Sequence, residues 1–166
     1  VHLRQAEALA RSRRPGAWAA FPGGLLLGRQ YERLAPRTVP FPLEETPLAV
    51  PGVTVAAGWQ VRCRFLPEGE KIENTPFTFG VACDTITKCT WVLRSRRAGD
   101  ALRLPGGRRS LRRLLMDRKI PAQARDAMPV VAAGDQILGV GGIGVNLDFA
   151  APAGGPAVEI RLSKSN

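Results

Sequence analysis

Eleven basic side chains fall within one stretch of this 166-residue chain: Arg94, Arg96, Arg97, Arg103, Arg108, Arg109, Arg112, Arg113, Arg118, Lys119 and Arg125. A guanidinium is a planar fork of donors that meets phosphate oxygens two at a time, so anion binding is the chemistry open to such a cluster. Only Asp100 and Asp117 oppose these residues, which leaves the segment 94–125 at +9. The whole chain carries +10, so the remainder, with 13 basic and 12 acidic residues, stands at +1. The chain holds 20 Arg against 4 Lys and is rich in Ala, Gly and Pro, as a GC-rich genome would dictate. That bias would scatter the arginines evenly. Their concentration instead gives a positive field of the kind that meets a polyanion.

Other chemistries lack their residues. Asp100 and Asp117 are formally a carboxylate pair, but neighbouring arginines depress a carboxylate pKa and spoil it as a general acid. Both are read as groups that hold arginine side chains in place, and no catalytic residue is assigned. A nucleophilic triad needs a histidine, and the single one, His2, stands at the start of the chain. Cys63, Cys83 and Cys89 are odd in number and lack a CxxC spacing, so neither a metal site nor a disulfide framework is expected. A reducing cytoplasm fits. No apolar run reaches the roughly 18–20 residues of a membrane span, and no signal peptide is seen. Gly139-Val140-Gly141-Gly142-Ile143-Gly144 spells GxGxxG. The following Val145–Pro156 contains Pro152 and Gly154-Gly155, so no helix of useful length can present its N-terminus to a pyrophosphate. Those glycines are expected to serve tight turns. Gly106-Gly107-Arg108-Arg109-Ser110 lacks the Gly-Lys-Ser/Thr ending of a phosphate-binding loop.

The elements that must position the arginines follow from pattern. Gly and Pro make up 32 of 166 residues, which favours short elements and an α+β, β-rich architecture with short helices on a small sheet or sandwich. A helix is expected over 2–14, then a hairpin of Ala17–Phe21 and Leu25–Tyr31 around Pro22-Gly23-Gly24. The proline-punctuated stretch Pro36–Pro47 reads as a linker. Strands are expected at Val53–Ala57, Gln60–Phe65, Phe77–Cys83, Thr90–Leu93, Val130–Ala133, Gln136–Val140 and Ala157–Leu162. Pro67–Pro76 is expected as a loop, and Asp84–Lys88 as a helical turn. Within the basic block, Ser95–Gly107 reads as a loop and Ser110 as the cap of a short helix. Leu111, Leu114 and Leu115 share one face of that helix, and Arg108, Arg109, Arg112 and Arg113 another. Like-charged pairs at Arg108–Arg112 and Arg109–Arg113 would repel, a cost that an anionic ligand would relieve. Pro121 is expected to open a second short helix that ends by Pro129. Trp91 is the only aromatic side chain near the block, which argues for contacts to a duplex backbone over stacked single-strand bases.

The run WVLRSRRAGDALRLPGGRRSLRRLLMDRKIP, residues 91–121, resembles the C-terminal domain of bacterial tRNA(Ile)-lysidine synthase. Arg94, Arg96, Arg97, Gly99 and Asp100 match that family's V-R-S-R-R-P-G-D pattern. Leu111, Leu114, Leu115, Asp117, Lys119, Ile120 and Pro121 match the basic stretch that follows it. Arg125, Pro129-Val130 and Gly142-Ile143-Gly144 continue the likeness. Phe21-Pro22-Gly23-Gly24 and Tyr31-Glu32-Arg33-Leu34 resemble the end of the family's central domain. Ala98 stands where proline is usual, Ala101 where a further Arg is common, and Leu104-Pro105-Gly106 shifts the usual P-L-G.

The resemblance implies an end of the central substrate-specificity domain at 1–37, a linker at 38–47 and a C-terminal tRNA-binding domain at 48–166. It implies ATP with Mg and lysine as needs of a whole enzyme that converts the first anticodon cytidine to lysidine. The S-G-G-x-D-S phosphate loop that handles ATP is not in this sequence, so no cofactor and no activity are expected of this chain alone. The chain opens on Val-His and not Met, which reads as a trimmed N-terminus. The expected partner is a CAU-anticodon isoleucine tRNA, gripped by its body, the acceptor stem foremost. Contacts are expected from Arg94, Arg96, Arg97, Arg103, Arg108, Arg109, Arg112, Arg113, Arg118 and Lys119. DNA and membrane are not expected, and a homodimer is compatible with the family. Two other classes stay open on the residues alone: a basic RNA- or protein-interaction module unrelated to a ligase, and an autonomous enzyme using the carboxylates.

Overall fold

A computed structural model describes residues 2–12, 17–21, 25–30, 33–36, 43–86 and 89–165. The N-terminal piece holds helix α1 (His2–Arg11) and strands β1 (Trp18–Phe21), β2 (Leu25–Gln30) and β3 (Arg33–Pro36). The expected hairpin is present, with Trp18 opposite Gly28 and Phe21 opposite Leu25. A third strand, β3, continues it and was not expected. Of the helical stripe, Leu9 is buried while Leu3 is exposed. The expected helix end at 13–14, its Pro15-Gly16 stop, the turn 22–24, Tyr31 at the end of the expected second strand, residues 37–42 of the expected linker and Thr87-Lys88 lie outside the described residues.

The main body is a β-sandwich. One sheet combines β4 (Thr46–Pro47), β8 (Trp91–Arg94), β11 (Val130–Ala133), β12 (Gln136–Val140) and β13 (Gly144–Val145) in the order β13-β12-β11-β8-β4. The other has the order β5-β6-β14-β7, from β5 (Gly52–Ala56), β6 (Trp59–Leu66), β7 (Thr78–Ala82) and β14 (Ala157–Lys164). A 3-10 turn, Cys83–Thr85, follows β7 where a helical turn was expected. Between the sheets lies one core of Val61, Cys63, Phe79, Val81, Trp91, Leu93, Val131, Leu138, Val158 and Ile160. Burial there pushes the Cys63 thiol up to about 12, so it is a packing group and not a nucleophile.

The first sheet is covered on both faces, which is why all four residues of β8 and of β11 are buried. Its second face carries Val92, Val130, Ala132, Ile137 and Val140, packed against Leu102, Leu111, Leu114 and Leu115. Those last four come from the basic block. The block is therefore a third layer, built of β9 (Ala101–Leu104), β10 (Gly107–Ser110), α2 (Leu111–Asp117) and α3 (Ala122–Arg125).

Two expectations need correction. Ser95–Gly107 is not all loop: β9 and β10 pair antiparallel around Pro105-Gly106, with Gly107 opposite Leu104. Gly106 and Gly107 take φ of 102° and 123°, values that glycine alone reaches without strain. The linker also shrinks. Leu43 is buried, Thr46 and Pro47 pair with Leu93 and Val92, and Leu43 N donates to Ser95 Oγ. The stretch from Leu43 onward belongs to the sandwich, because closing the β8 edge satisfies backbone groups that a free linker would leave to water.

Candidate nucleic-acid interface

Helix α2 orders the interface. Ser110 caps it as expected, its Oγ accepting from Arg113 N at 3.2 Å. Leu111 N donates to Asp100 O at 2.8 Å, tying the helix start to the loop before β9. Burying Leu111, Leu114 and Leu115 contributes about 2 kcal/mol each, several times the ~0.5 kcal/mol that a like-charged neighbour costs on a helix surface. The apolar underside therefore wins, and Arg112 and Arg113 are carried outward and exposed. At the other end Lys119 adopts φ 55°, and its N–H donates to Met116 O. Glycine would close that turn more easily, yet a cation stands there, exposed.

Arg108 and Arg109 are not on the helix. Both lie on β10, every residue of which is exposed. The helical pairs Arg108–Arg112 and Arg109–Arg113 do not exist, so repulsion within a helix gives no argument for a ligand. Both arginines still reach the same surface: Arg108, Arg109, Ser110, Arg113 and Asp117 line one open cleft.

Arg94 also leaves the contact set. Its side chain is 3% exposed and forms a two-pronged ion pair with Asp100, Nη1 to Oδ2 at 2.9 Å and Nη2 to Oδ1 at 3.0 Å. A guanidinium committed to a buried carboxylate cannot turn to a phosphate. Asp100 does hold an arginine, as expected, and it holds the loop as well, since Oδ2 accepts from Arg97 N at 2.6 Å. Asp117 is a weaker holder, 4.0 Å from Arg109 Nη1 with both side chains more than half exposed.

Three carboxylates from outside the block join it in space. Asp126 accepts from Arg96 Nε at 2.9 Å, Glu45 pairs with Arg97, and Asp148 lies near Arg103 and Arg108. They bring the local charge from +9 to +6. Their partners lie 30, 52 and 45 residues away in sequence, so no local signal could have found them. Arg118 donates to Gly142 O and Arg125 to Ile120 O, each tying down a backbone carbonyl. Among the described residues, Arg112, Arg113, Arg118, Lys119 and Arg125 have no carboxylate partner, and the side chains of Arg112, Arg113 and Lys119 have no hydrogen-bond partner either. A second open cleft, of about 430 Å³, brings Arg96, Arg97 and Arg112 together beside Gly99 and Ser110.

The glycine run has a structural explanation. A Cβ on Gly139 would lie 2.4 Å from Phe79 Cζ in the sandwich core, and one on Gly141 would lie 2.6 Å from Pro129 Cγ. The register shifts between Val131 and Ala132, which fits an extra residue on β12. Gly142 and Gly144 take φ of 90° and 119° in the turn that follows, as tight turns require. Replacing Gly139 by Ala should cost about 1–3 kcal/mol through overpacking against a fully buried ring. Urea unfolding of the variant measures it, and an unchanged midpoint would show that Phe79 can move. Among the described residues no group of His, Cys, Asp and Glu could hold a metal ion, and no helix is long and apolar enough to cross a membrane.

The fold and its charge together define a basic α+β domain: a β-sandwich with a cationic hairpin–helix layer on one sheet. Residues 92–162 match the family described as TilS substrate C-terminal domain. A Bacillus subtilis protein named tRNA(Ile)-lysidine synthase is 25% identical over 153 residues, 86% of this chain and 32% of that protein. One of the same name from Deinococcus deserti is 39% identical over 51 residues, 31% of this chain and 10% of its own length. The chain thus spans about a third or less of these relatives. A crystal structure titled as the TilS C-terminal domain superimposes with a TM-score of 0.64 at 24% identity, over 75% of this chain and 98% of that one, and supports the fold.

Proposed function

We propose that the chain is the tRNA-docking part of a tRNA(Ile)-lysidine synthase. It grips the body of a CAU-anticodon isoleucine tRNA, at the acceptor stem, so that an ATP- and lysine-using domain can modify the first anticodon cytidine. Contacts to phosphates come from Arg112, Arg113 and Lys119 first, then from Arg96, Arg97, Arg103, Arg108, Arg109 and Arg118, whose present partners are exposed carboxylates or carbonyls that a phosphate can replace. Arg94 and Asp100 serve the surface from below. The piece 1–37 belongs to the preceding domain and the docking domain begins near Leu43.

The observation that carries this reading is the row of exposed cations on α2 and its C-terminal turn, Arg112, Arg113 and Lys119, fixed by three buried leucines and left without side-chain partners while the other arginines of the block are tied to carboxylates or carbonyls. A duplex backbone would supply the missing anions, and the scarcity of aromatic side chains beside the row fits phosphate contacts better than base stacking. Titration of the chain with an isoleucine tRNA transcript at several salt concentrations tests it. Each neutralised phosphate adds about 0.7–0.9 to the slope of log affinity against log salt, so four or more contacts give a slope of about −3 or steeper. A slope near zero rejects docking.

A further inference from the structure

Arg103 and Arg108 stand directly opposite each other on the β9–β10 hairpin. Like charges at opposed positions repel, and a third group between them relieves the repulsion. Asp148 Oδ1 lies 3.4 Å from Arg103 Nη1, and Asp148 Oδ2 lies 3.8 Å from Arg108 Nη1. One carboxylate therefore spans two guanidiniums, one oxygen to each.

The turn that carries this carboxylate is firmly built. Asn146 is 2% exposed, and its Oδ1 accepts from Arg103 N at 3.0 Å and from Asp148 N at 3.1 Å. Its Nδ2 donates to Ile137 O at 2.8 Å, and Leu147 N donates to Arg103 O at 2.9 Å. Backbone and Asn146 thus lock the turn to the hairpin and to the sheet beneath. The ion pairs themselves are loose. Both arginine side chains are more than 60% exposed, and only the contact to Arg103 has hydrogen-bond geometry. Exposed pairs of this kind are weak, so exchanging the carboxylate for another anion is cheap.

We propose that Asp148 holds the seat of an RNA phosphate in the free chain. A phosphodiester presents the same pair of anionic oxygens with the same single charge, and on docking it replaces the carboxylate between Arg103 and Arg108. No bond is made or broken. The inference rests on the docking reading above. In this role Asp148 keeps the two arginines together and pre-set, and it lowers the affinity of any RNA that does not engage the rest of the surface. It is an affinity-limiting, specificity-determining residue.

The test titrates the whole chain with an isoleucine tRNA transcript and with an unrelated RNA duplex of similar length. Asp148→Asn is expected to raise affinity for the unrelated duplex about three- to tenfold, which narrows the preference for tRNA. Asp135→Asn, the same charge change at the exposed β11–β12 turn, is expected to shift it less than about twofold at moderate salt. In an Arg103→Gln, Arg108→Gln background the gain from Asp148→Asn should vanish. A gain no larger than that of Asp135→Asn, a gain that survives in the double-Gln background, or a loss of affinity overturns the seat. Should Asp148→Asn melt below the wild type, Asp148→Ser gives a second carboxylate-free variant judged by the same outcomes. Wild-type chain that binds neither RNA with a salt slope overturns the docking reading itself. Wild-type binding with no Asp148 effect overturns only this inference.

Discussion

Glutamate at both Arg112 and Arg113 should lower tRNA affinity about 100-fold at moderate salt, near 3 kcal/mol, because two phosphate contacts become two repulsions. The fold should not suffer. Both side chains are exposed, and neither makes an ion pair among the described residues. Arg113 contributes its backbone N–H to the Ser110 cap, which a glutamate keeps. Acidic side chains in the first turn of a helix also interact favourably with its dipole, by about 0.3–1 kcal/mol, so the unfolding midpoint should stay level or rise. Arg62→Glu with Lys71→Glu makes the same total charge change at exposed positions of the other sheet and its loop. That control should lose no more than about threefold, since its field at the interface is screened beyond roughly one Debye length. Equal losses in the two double variants would mean that net charge alone, and not α2, attracts the RNA. A melted Arg112/Arg113 variant would mean that the exposed face of α2 is wrongly assigned.

The parts of this interface legible in the sequence are those encoded by neighbours along the chain. Leu111, Leu114 and Leu115 repeat at one helical face, Ser110 can reach its own third amide, and Gly134-Asp135 separates two apolar runs. Each is a local signal, and each is present in the fold. The β9–β10 hairpin was not legible because β10 buries nothing. An all-exposed Gly-Arg-Arg-Ser strand cannot show the period-two alternation that marks a half-buried one. The partners of the arginines were illegible for another reason. Asp148, Asp126 and Glu45 reach the block only after β11, β8 and β4 have paired, and strand order is not written in any single segment. The charge summed along 94–125 therefore exceeds the charge that the fold gathers there in space. The cations left without a side-chain partner, Arg112, Arg113 and Lys119, lie on α2 and its C-terminal turn. Arg94 shows the same limit most sharply. Arg96 and Arg97, two and three residues on, are half-buried and exposed cations, but the position of Arg94 on β8, a strand covered on both faces, sends it into the interior.

That interior ion pair is where the largest effect on stability is expected. Asp100→Ala leaves the Arg94 guanidinium buried without its carboxylate, and breaking such a pair costs about 3–5 kcal/mol. Arg94 Nε already lacks a hydrogen-bond partner, and the bond that Nη1 donates to Ser95 O at 2.9 Å supplies no countercharge. Against a total stability of about 5–15 kcal/mol for a domain of this kind, the variant should unfold at a much lower urea concentration. Arg94→Met with Asp100→Leu removes both charges together. It should lie within about 1–2 kcal/mol of the wild type, because the cost of desolvating two ions vanishes along with their attraction. The two variants separate what the pair does for the fold from what it does for the surface. Asp100 also accepts the Arg97 amide, and that bond sets the loop carrying Arg96 and Arg97 over the cleft they share with Arg112. The apolar double variant keeps the core but loses this anchor. It should therefore stay folded and still bind tRNA about tenfold more weakly, the cost of ordering a loop that the wild type presents already set. If the double variant binds as tightly as the wild type, the buried pair serves stability alone. If it unfolds as readily as Asp100→Ala, the buried pair contributes far more than replacement by apolar groups of similar size can recover.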